Sequence, residues 1–212
     1  GSRMARRQAR RWAGAMTIPS VPVTKAQFPL ILLRRMADYQ PLLVERARME
    51  LGYGVTEMRA VNATWQRMLR SRSSRGPLGQ LRSVLGRPDA VMDRKVGDAK
   101  CRSEQWRLEL WPELRFEAFV GPGDMLLKEH LVRAPDSPRP KPRRLADLEP
   151  WSCVLGDVAV ALGPMRRLEG SAPTRDLALV EVPGEPGSDA KTTIATEFVY
   201  GLLQVARPYE RP

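Results

Sequence analysis

Hydrophobic and polar residues alternate in the middle of the chain, between residues 105 and 132. The segments 106–110 and 114–118 each place an apolar residue at every second position. Because successive side chains of a strand point to opposite faces, this period predicts ribbons with one apolar and one polar face. Pro112 separates the two segments, and a Gly-Pro-Gly-Asp turn at residues 121–124 precedes a third apolar run. The pattern predicts an antiparallel meander of about three strands.

The N-terminal third shows helical spacing instead. Thr24 stands three residues before Gln27, which is the spacing of a capping box, and Pro29 suits a first helical turn. A helix is therefore predicted to begin near Phe28, and Pro41 is predicted to kink it or to restart it. The predicted apolar side of the helical segment after Pro41 comprises Leu42, Leu43, Ala47 and Leu51.

Two further helices are predicted before the meander, one over about 56–70 and a short one over 78–85. Apolar residues recur at helical spacing in the first of them, and we interpret that stripe as core packing rather than as a ligand-binding face. The stripe consists of Met58, Val61, Trp65 and Met68. Residues 89–100 are predicted to form a turn-rich approach to the sheet.

The C-terminal part contains short apolar runs at 154–162 and 177–182, which are predicted to be two further strands. Residues 192–206 are left open between strand and helix, because their residue types favour a strand and their spacing suits a helix. The predicted fold class is α+β, with an N-terminal helical segment packed on an antiparallel sheet and with extended basic arms.

A chain of 212 residues with 42% hydrophobic residues suits one globular domain, predicted at 24–206. The longest apolar run, residues 28–33, is too short to span a membrane as a helix. The predicted segments are a basic N-terminal arm or presequence remnant at 1–23, a helical segment at 24–95, a sheet segment at 96–186 with a proline-rich strap at 134–144, and a C-terminal element and tail at 187–212.

Charge is the strongest functional signal in the composition. The chain has 35 Lys and Arg against 24 Asp and Glu, a formal net charge of +11 and a pI of about 10.4. Such a balance favours a polyanionic partner, which is nucleic acid, anionic lipid or an acidic protein surface. Arginine supplies most of the positive charge, and its planar fork of donors binds phosphates and carboxylates bidentately.

The basic residues are concentrated in three extensions. The first 37 residues contain no acidic side chain, and the arginine spacing in residues 3–11 would place five arginines on one helical face. This arm resembles an organelle-targeting presequence, although it is poor in serine. The alternative is that Gly1 and Ser2 are a cloning remnant and the arm is a disordered tail. The other two extensions are an arginine- and serine-rich loop near residues 67–75 and the strap.

The extensions together give the candidate anion-binding residues. Phosphate contact requires charge and donors without a fixed register, which arginines in loops and arms supply. The candidates are Arg3, Arg6, Arg7, Arg10, Arg11, Arg67, Arg70, Arg72, Arg75, Arg139, Lys141, Arg143 and Arg144.

No catalytic signature accompanies this charge. His130 is the single histidine, no glycine-rich phosphate loop is present, and Cys101 and Cys153 lack neighbours at metal-ligand spacing. We expect both cysteines to be buried free thiols rather than a disulfide. Glu109 and Glu117 lie among basic residues on predicted strands, so they are expected to form ion pairs or to face solvent. No catalytic residue, metal or cofactor is predicted.

The preferred hypothesis is a non-catalytic structural subunit of a large assembly, specifically a mitochondrial ribosomal protein in the matrix that contacts rRNA phosphates and neighbouring proteins. One alternative is an accessory subunit of a respiratory-chain complex or ATP synthase, which binds acidic protein surfaces or anionic lipid headgroups. A second alternative is a bacterial cytoplasmic enzyme or ligand-binding regulator with a pocket on one sheet face.

Overall fold

A computed structural model describes residues 22–71, 75–184 and 190–210, and within these ranges the chain forms five α-helices and two four-stranded antiparallel sheets. The predicted α+β class, with a helical segment that precedes antiparallel sheet, is confirmed. The helices are α1 (Phe28–Met36), α2 (Pro41–Glu50), α3 (Val55–Arg70), α4 (Gly76–Leu85) and α5 (Leu155–Leu162). Sheet A contains β1 (Ala90–Val96), β2 (Ala99–Arg107), β3 (Leu114–Val120) and β4 (Leu126–Arg133), and sheet B contains β5 (Arg166–Arg167), β6 (Arg175–Pro183), β7 (Lys191–Val199) and β8 (Leu202–Pro208).

Helix α1 is the centre of the larger hydrophobic core and is buried on nearly every side. It begins as predicted, because Thr24 and Gln27 exchange hydrogen bonds across the preceding 3-10 turn, at 3.1 and 3.3 Å. The ring of Phe28 packs edge-on against Phe116 of sheet A and Trp65 of α3, with centroids 4.9 and 5.8 Å away. This cluster fixes the helical segment to the sheet.

The predicted core stripe of α3 is confirmed. Met58, Val61 and Trp65 are buried, and Met68 packs against the same core. Pro41 restarts the chain as a separate helix, but the predicted apolar side of α2 is partly wrong, because Leu42 is 76% exposed. The short α2 packs mainly on one neighbour and buries a narrow stripe. That stripe contains Val44 and Ala47.

Sheet A is a meander in which each strand pairs with the next along the chain. Its core-facing row runs from Trp106 through Phe116 to Leu131. The predicted turn-rich approach at 89–100 is instead β1 and a hairpin turn at Gly97, which has a φ of 58°. The periodicity did not reveal β1 because this edge strand is exposed on both faces and carries charged residues on both.

Residues 154–162 were predicted to form a strand, and that prediction is wrong because residues 155–162 form α5. An apolar run this short does not distinguish strand from helix by period. Asp157 decides the outcome, since its carboxylate accepts a hydrogen bond from the backbone N–H of Val154 at 3.0 Å and caps the first turn. The strand predicted at 177–182 is confirmed as part of β6.

The open segment 192–206 is a β-hairpin made of β7 and β8. Tyr200 and Gly201 form its tip with φ angles of 46° and 71°, and a two-residue turn with both φ values positive suits a tight hairpin. The hairpin also joins the two sheets, because the N–H of Leu131 donates to the carbonyl of Tyr200 at 2.7 Å. A Cβ atom at Gly201 would lie 3.0 Å from the carbonyl oxygen of Leu131, so this contact requires glycine.

The two sheets belong to similar units in the described part of the chain. In each unit a helix precedes a four-stranded meander, and the helix ends in a Leu-Gly pair. Gly86 and Gly163 occupy this position with nearly the same conformation, at φ and ψ of 76° and −159° and of 90° and −161°. The larger core lies under sheet A and the smaller core under sheet B.

Two sequence-based expectations concern the state of the cysteines and the length of the apolar helices. Cys101 and Cys153 are buried free thiols, as expected. Within the described ranges, no helix combines the length and apolar character that a membrane-spanning helix needs.

The packing of Trp65 leads to a stability prediction with an internal control. We expect Trp65→Ala to lower the free energy of unfolding by about 3–5 kcal/mol, because it opens a cavity beside Phe28. Leu42→Ala should cost less than about 0.5 kcal/mol, because Leu42 is largely in solvent. Urea unfolding of both variants measures the difference, and equal losses would contradict the assigned core.

Candidate anion-binding face

The exposed side of α3 carries three arginines. Arg59 and Arg70 lie on one helical stripe with Ala63 and Gln66, and Arg67 lies one turn beyond Ala63. All three arginine side chains are exposed, and Arg67 Nη2 donates to the hydroxyl of Thr64 at 2.9 Å. Because the buried stripe of α3 faces α1, the arginines are directed away from the core.

The same side of α3 borders a groove against the C-terminal end of α1. The groove has a volume of about 280 Å³ and is held together by Asn62, whose Nδ2 donates to the carbonyl of Leu30 at 3.1 Å. Its lining comprises Arg34, Arg35, Asp38, Asn62, Ala63 and Gln66. Asp38 forms an ion pair with Arg34 at 3.6 Å, so the groove keeps a positive balance.

We call the surface formed by these two helices the α1–α3 face, and its arginines are Arg34, Arg35, Arg59, Arg67 and Arg70. Of these, Arg67 and Arg70 were among the sequence-based candidates. Sequence reasoning missed Arg59 as a candidate, although its spacing of 8 and 11 residues from the other two was a readable signal. Arg34 and Arg35 were counted with the basic N-terminal region but were not among the candidates.

The four basic residues of the strap differ in whether they have a carboxylate partner within the fold. Arg139 Nη1 lies 3.2 Å from a carboxylate oxygen of the fully buried Asp157, and Arg144 Nε lies 3.4 Å from Asp147. Lys141 and Arg143 have exposed side chains. The prediction that the strap binds an external anion therefore retains its support at Lys141 and Arg143, whereas Arg139 already has an internal partner.

The structure describes only one of the remaining sequence-based candidates for anion binding, Arg75. Arg75 is exposed directly before α4. The other candidate residues lie outside the described residues, and they are Arg3, Arg6, Arg7, Arg10, Arg11 and Arg72.

Basic side chains also neutralise carboxylates inside the fold. Glu104 is buried and accepts hydrogen bonds from the guanidinium groups of Arg82 and Arg102, the latter at 2.8 Å. Burial opposes the charge on Glu104, yet these two guanidinium groups hold its pKa below the ordinary glutamate value. The buried Asp176 forms ion pairs with Lys128 at 3.1 Å and with Arg167 at 3.6 Å. Part of the positive charge of the chain therefore neutralises buried carboxylates within the fold.

His130 belongs to a buried polar network on sheet A. Its Nε2 lies 3.2 Å from Glu117, which also accepts hydrogen bonds from Ser103 and, at 2.7 Å, from Gln105. The expected cross-strand pairing of Glu117 is present with His130 of β4, beside the neutral donors Ser103 and Gln105. The solvent-facing alternative is wrong, because the carboxylate is buried. Arg115 is also buried. The hydroxyl of Ser103 donates to Glu117 and accepts from Gln105 Nε2 at 3.3 Å, so it belongs to the same network.

The outer side of sheet B carries an open groove of about 530 Å³. Leu177 and Ala195 form its floor, and the ion pair of Arg207 with Glu197, at 3.7 Å, lies along it. This groove matches the sheet-face pocket of the second alternative in location. The residues that line it contribute no histidine and no cysteine.

Comparison with known proteins adds little to this geometry. No family model matches the chain, and no curated protein matches it. Among solved structures the chain is similar to a provisionally named beta-lactamase inhibitor protein from Streptococcus mutans, with 14% identity over 63% of this chain and 82% of that chain and a TM-score of 0.26. A likeness this distant carries no argument about fold or function.

The Glu117 network makes stability depend on acid pH. Burial opposes the charge of Glu117, but hydrogen bonds from His130, Ser103 and Gln105 outweigh it and lower the pKa from 4.5 to about 2. The resulting stabilisation, about 3 kcal/mol at about 1.4 kcal/mol per pKa unit, is complete above pH 4.5 and is lost as the pH falls towards 2. Glu117→Gln should remove it, so urea unfolding from pH 7 to 2 should show the two proteins converge. A constant difference across that range would contradict the assignment.

Glu129 should behave in the opposite way. It is half-buried on β4, it has no hydrogen-bond or ion-pair partner within the part of the chain that the structure describes, and burial raises its pKa to about 7. A raised pKa penalises the charged form, so stability is lost as the pH rises through 7. Because the penalty begins above the ordinary glutamate pKa of 4.5, Glu129→Gln should exceed the parent protein in unfolding free energy by about 1–3 kcal/mol at pH 8 and match it near pH 4. Lower stability of the variant at pH 8 would refute this account.

Proposed function

We propose that the protein is a non-catalytic subunit that contacts the phosphates of RNA in a large ribonucleoprotein assembly. The α1–α3 face carries this proposal, since it gathers Arg34, Arg35, Arg59, Arg67 and Arg70 from two helices that pack together. Phosphate contact supplies affinity without reading bases, and arginines on a rigid helical surface suit it. The groove between the helices adds Asn62 and Gln66 as polar side chains beside the charges.

The specific setting that we propose is the mitochondrial ribosome, in the matrix. Its support is the sequence of the N-terminal arm, which is rich in arginine, free of acidic residues and similar to an organelle presequence. Lys141 and Arg143 of the strap add two exposed basic side chains that are not part of the α1–α3 face. In this proposal rRNA is the polyanion, neighbouring proteins complete the contacts, and no cofactor takes part.

Salt dependence of RNA binding tests the proposal. Each phosphate contact contributes about 0.7–0.9 to the slope of log affinity against log salt, so removing three should flatten the slope by about 2–3. The test variant combines Arg59→Gln, Arg67→Gln and Arg70→Gln. The control variant combines Arg46→Gln, Arg94→Gln and Lys100→Gln, which are exposed elsewhere and remove the same charge. Fluorescence anisotropy with a labelled RNA hairpin, at several salt concentrations, measures both slopes.

Comparison of the two variants distinguishes RNA binding through the α1–α3 face from RNA binding that depends only on net positive charge. We expect the control to keep the parent slope, with a small loss of affinity from its lower net charge. Equal flattening in both variants would show that the α1–α3 face has no special role. An RNA affinity that does not depend on salt, or tight binding to vesicles containing phosphatidylserine without any RNA binding, would overturn the proposal in favour of another partner.

A further inference from the structure

A second cleft lies where the connector between α1 and α2 meets sheet B. Its volume is about 240 Å³, and it is distinct from the groove of the α1–α3 face, with which it shares Arg35 and Asp38. The lining comprises Arg35, Asp38, Tyr39, Ala172, Thr174, Arg175 and Val199. The lining therefore combines small apolar side chains with polar and charged ones, and the volume of the cleft exceeds that of a single ion.

Arg175 is held in this cleft by an incomplete set of hydrogen bonds. Its Nη2 donates to the carbonyl of Gly170 at 2.8 Å, and its Nη1 approaches the hydroxyl of Tyr39 at 3.4 Å, which is the outer limit of a hydrogen bond. Its Nε is buried and has no hydrogen-bond partner among the described residues. Buried donors are nearly always paired in folded proteins, so this guanidinium has unused capacity for an acceptor.

The other polar groups of the cleft have the same unused capacity. The hydroxyl of Thr174 makes no hydrogen bond to any residue in the described ranges, while the carbonyl of Thr174 accepts from the N–H of Tyr200 at 2.8 Å and fixes the loop. Tyr39 accepts from Arg175, which leaves its own O–H proton available to donate. Arg35 is exposed and forms no ion pair within the described part.

The charge balance of the cleft selects the class of ligand. The lining carries Arg35 and Arg175 against Asp38, and Arg34, which lies outside the lining, pairs with Asp38. Glu197 of β7 acts electrostatically on Arg175 but is itself paired with Arg207, so the two guanidinium groups leave an excess of positive charge. A phosphate monoester carries nearly two negative charges at neutral pH and offers three acceptor oxygens, whereas a carboxylate carries one charge. Two guanidinium groups and two hydroxyl donors match the phosphate more completely.

The cleft is also held in place from both sides. Gln40, next to Tyr39, donates from its Nε2 to the carbonyl of Gln204 in β8 at 2.8 Å. Thr174 precedes β6 directly and Val199 ends β7, so the opposite wall belongs to a paired sheet. Binding groups on such fixed elements lose little conformational freedom when a ligand arrives.

From this geometry we propose that the cleft between the α1–α2 connector and sheet B is a binding site for the phosphate group of a phosphate monoester. Arg35 and Arg175 neutralise the dianion, and the hydroxyls of Tyr39 and Thr174 donate to its oxygens. The space beyond the phosphate, next to Ala172 and Val199, accommodates part of the group that carries it. The cleft shares Arg35 with the α1–α3 face, but the proposal does not require that RNA bind to that face.

Isothermal titration calorimetry of the whole chain tests this site at fixed ionic strength. The probes are inorganic phosphate, ribose 5-phosphate and a short RNA with or without a 5′-phosphate, with acetate as the carboxylate control. We expect phosphate-bearing probes to bind and acetate to bind at least about tenfold more weakly, because it has half the charge. The order among the three phosphate sources identifies the carrier. Absence of binding by both inorganic phosphate and ribose 5-phosphate, together with equal affinity for the RNA with and without the 5′-phosphate, would overturn the proposal.

Variants locate the site. Arg35→Gln and Arg175→Gln should each weaken phosphate binding by about tenfold or more, and Thr174→Val by about threefold to tenfold, because charge-assisted bonds exceed neutral ones. Arg46→Gln removes the same charge from the exposed side of α2 and should stay within about twofold of the parent. Arg35 is exposed, so its variant remains informative if Arg175→Gln does not fold. Equal weakening by Arg46→Gln, or unchanged binding in Arg35→Gln and Thr174→Val, would refute the site.

Thr174→Val also separates this site from the proposed function. It changes no charge and lies outside the α1–α3 face, so it should reduce phosphate affinity and leave the salt slope of RNA binding unaltered. The triple arginine variant of α3 should show the reverse. If both variants lost both activities, the cleft would be part of the RNA surface and not a separate site.

Discussion

The fold depends on a carboxylate that has no access to solvent. Asp157 accepts hydrogen bonds from Arg133 at 2.6 Å, from Arg139 at 3.2 Å and from the backbone N–H of Val154 at 3.0 Å. These partners belong to β4, to the strap and to the start of α5, so one buried charge connects the two helix–sheet units. A buried charge without partners is costly, and for that reason any arrangement that separated these elements would be strongly disfavoured.

The need to neutralise buried carboxylates explains why the net charge of the chain did not by itself identify the functional surface. Arg82, Arg102 and Arg133 are needed to neutralise buried carboxylates, and they resemble the exposed arginines in sequence. The partner of each guanidinium group in the folded chain, and not composition, separates the arginines that neutralise buried carboxylates from those that are available to an external partner. The α1–α3 face emerges only after this separation, because its arginines have few carboxylate neighbours.

How well the sequence predicted the structure varied with the length and burial of each element. Helix α3 was predictable because sixteen residues carry a sustained stripe with Trp65 at its centre. Helix α5 was not, because its eight mostly apolar residues fit either period, and the local cap that Asp157 forms with the N–H of Val154 was not recognised in the sequence. Strand β1 has no dry face, so no alternation could mark it. The α1–α3 face joins residues about 25 to 35 positions apart, and only the packing of two helices brings them together.

The two units share an order of elements, yet their surroundings differ, and that difference creates the sites. Four helices accompany sheet A in the described part of the chain, whereas sheet B packs on α5 and the segment that leads into it. The α1–α2 connector therefore reaches across to β6 and β8 through Tyr39 and Gln40. A junction between units must satisfy polar groups from both sides, and here it leaves Arg175 and Thr174 with donors to spare. The phosphate site that we propose is thus a product of the junction, and neither unit would form it alone.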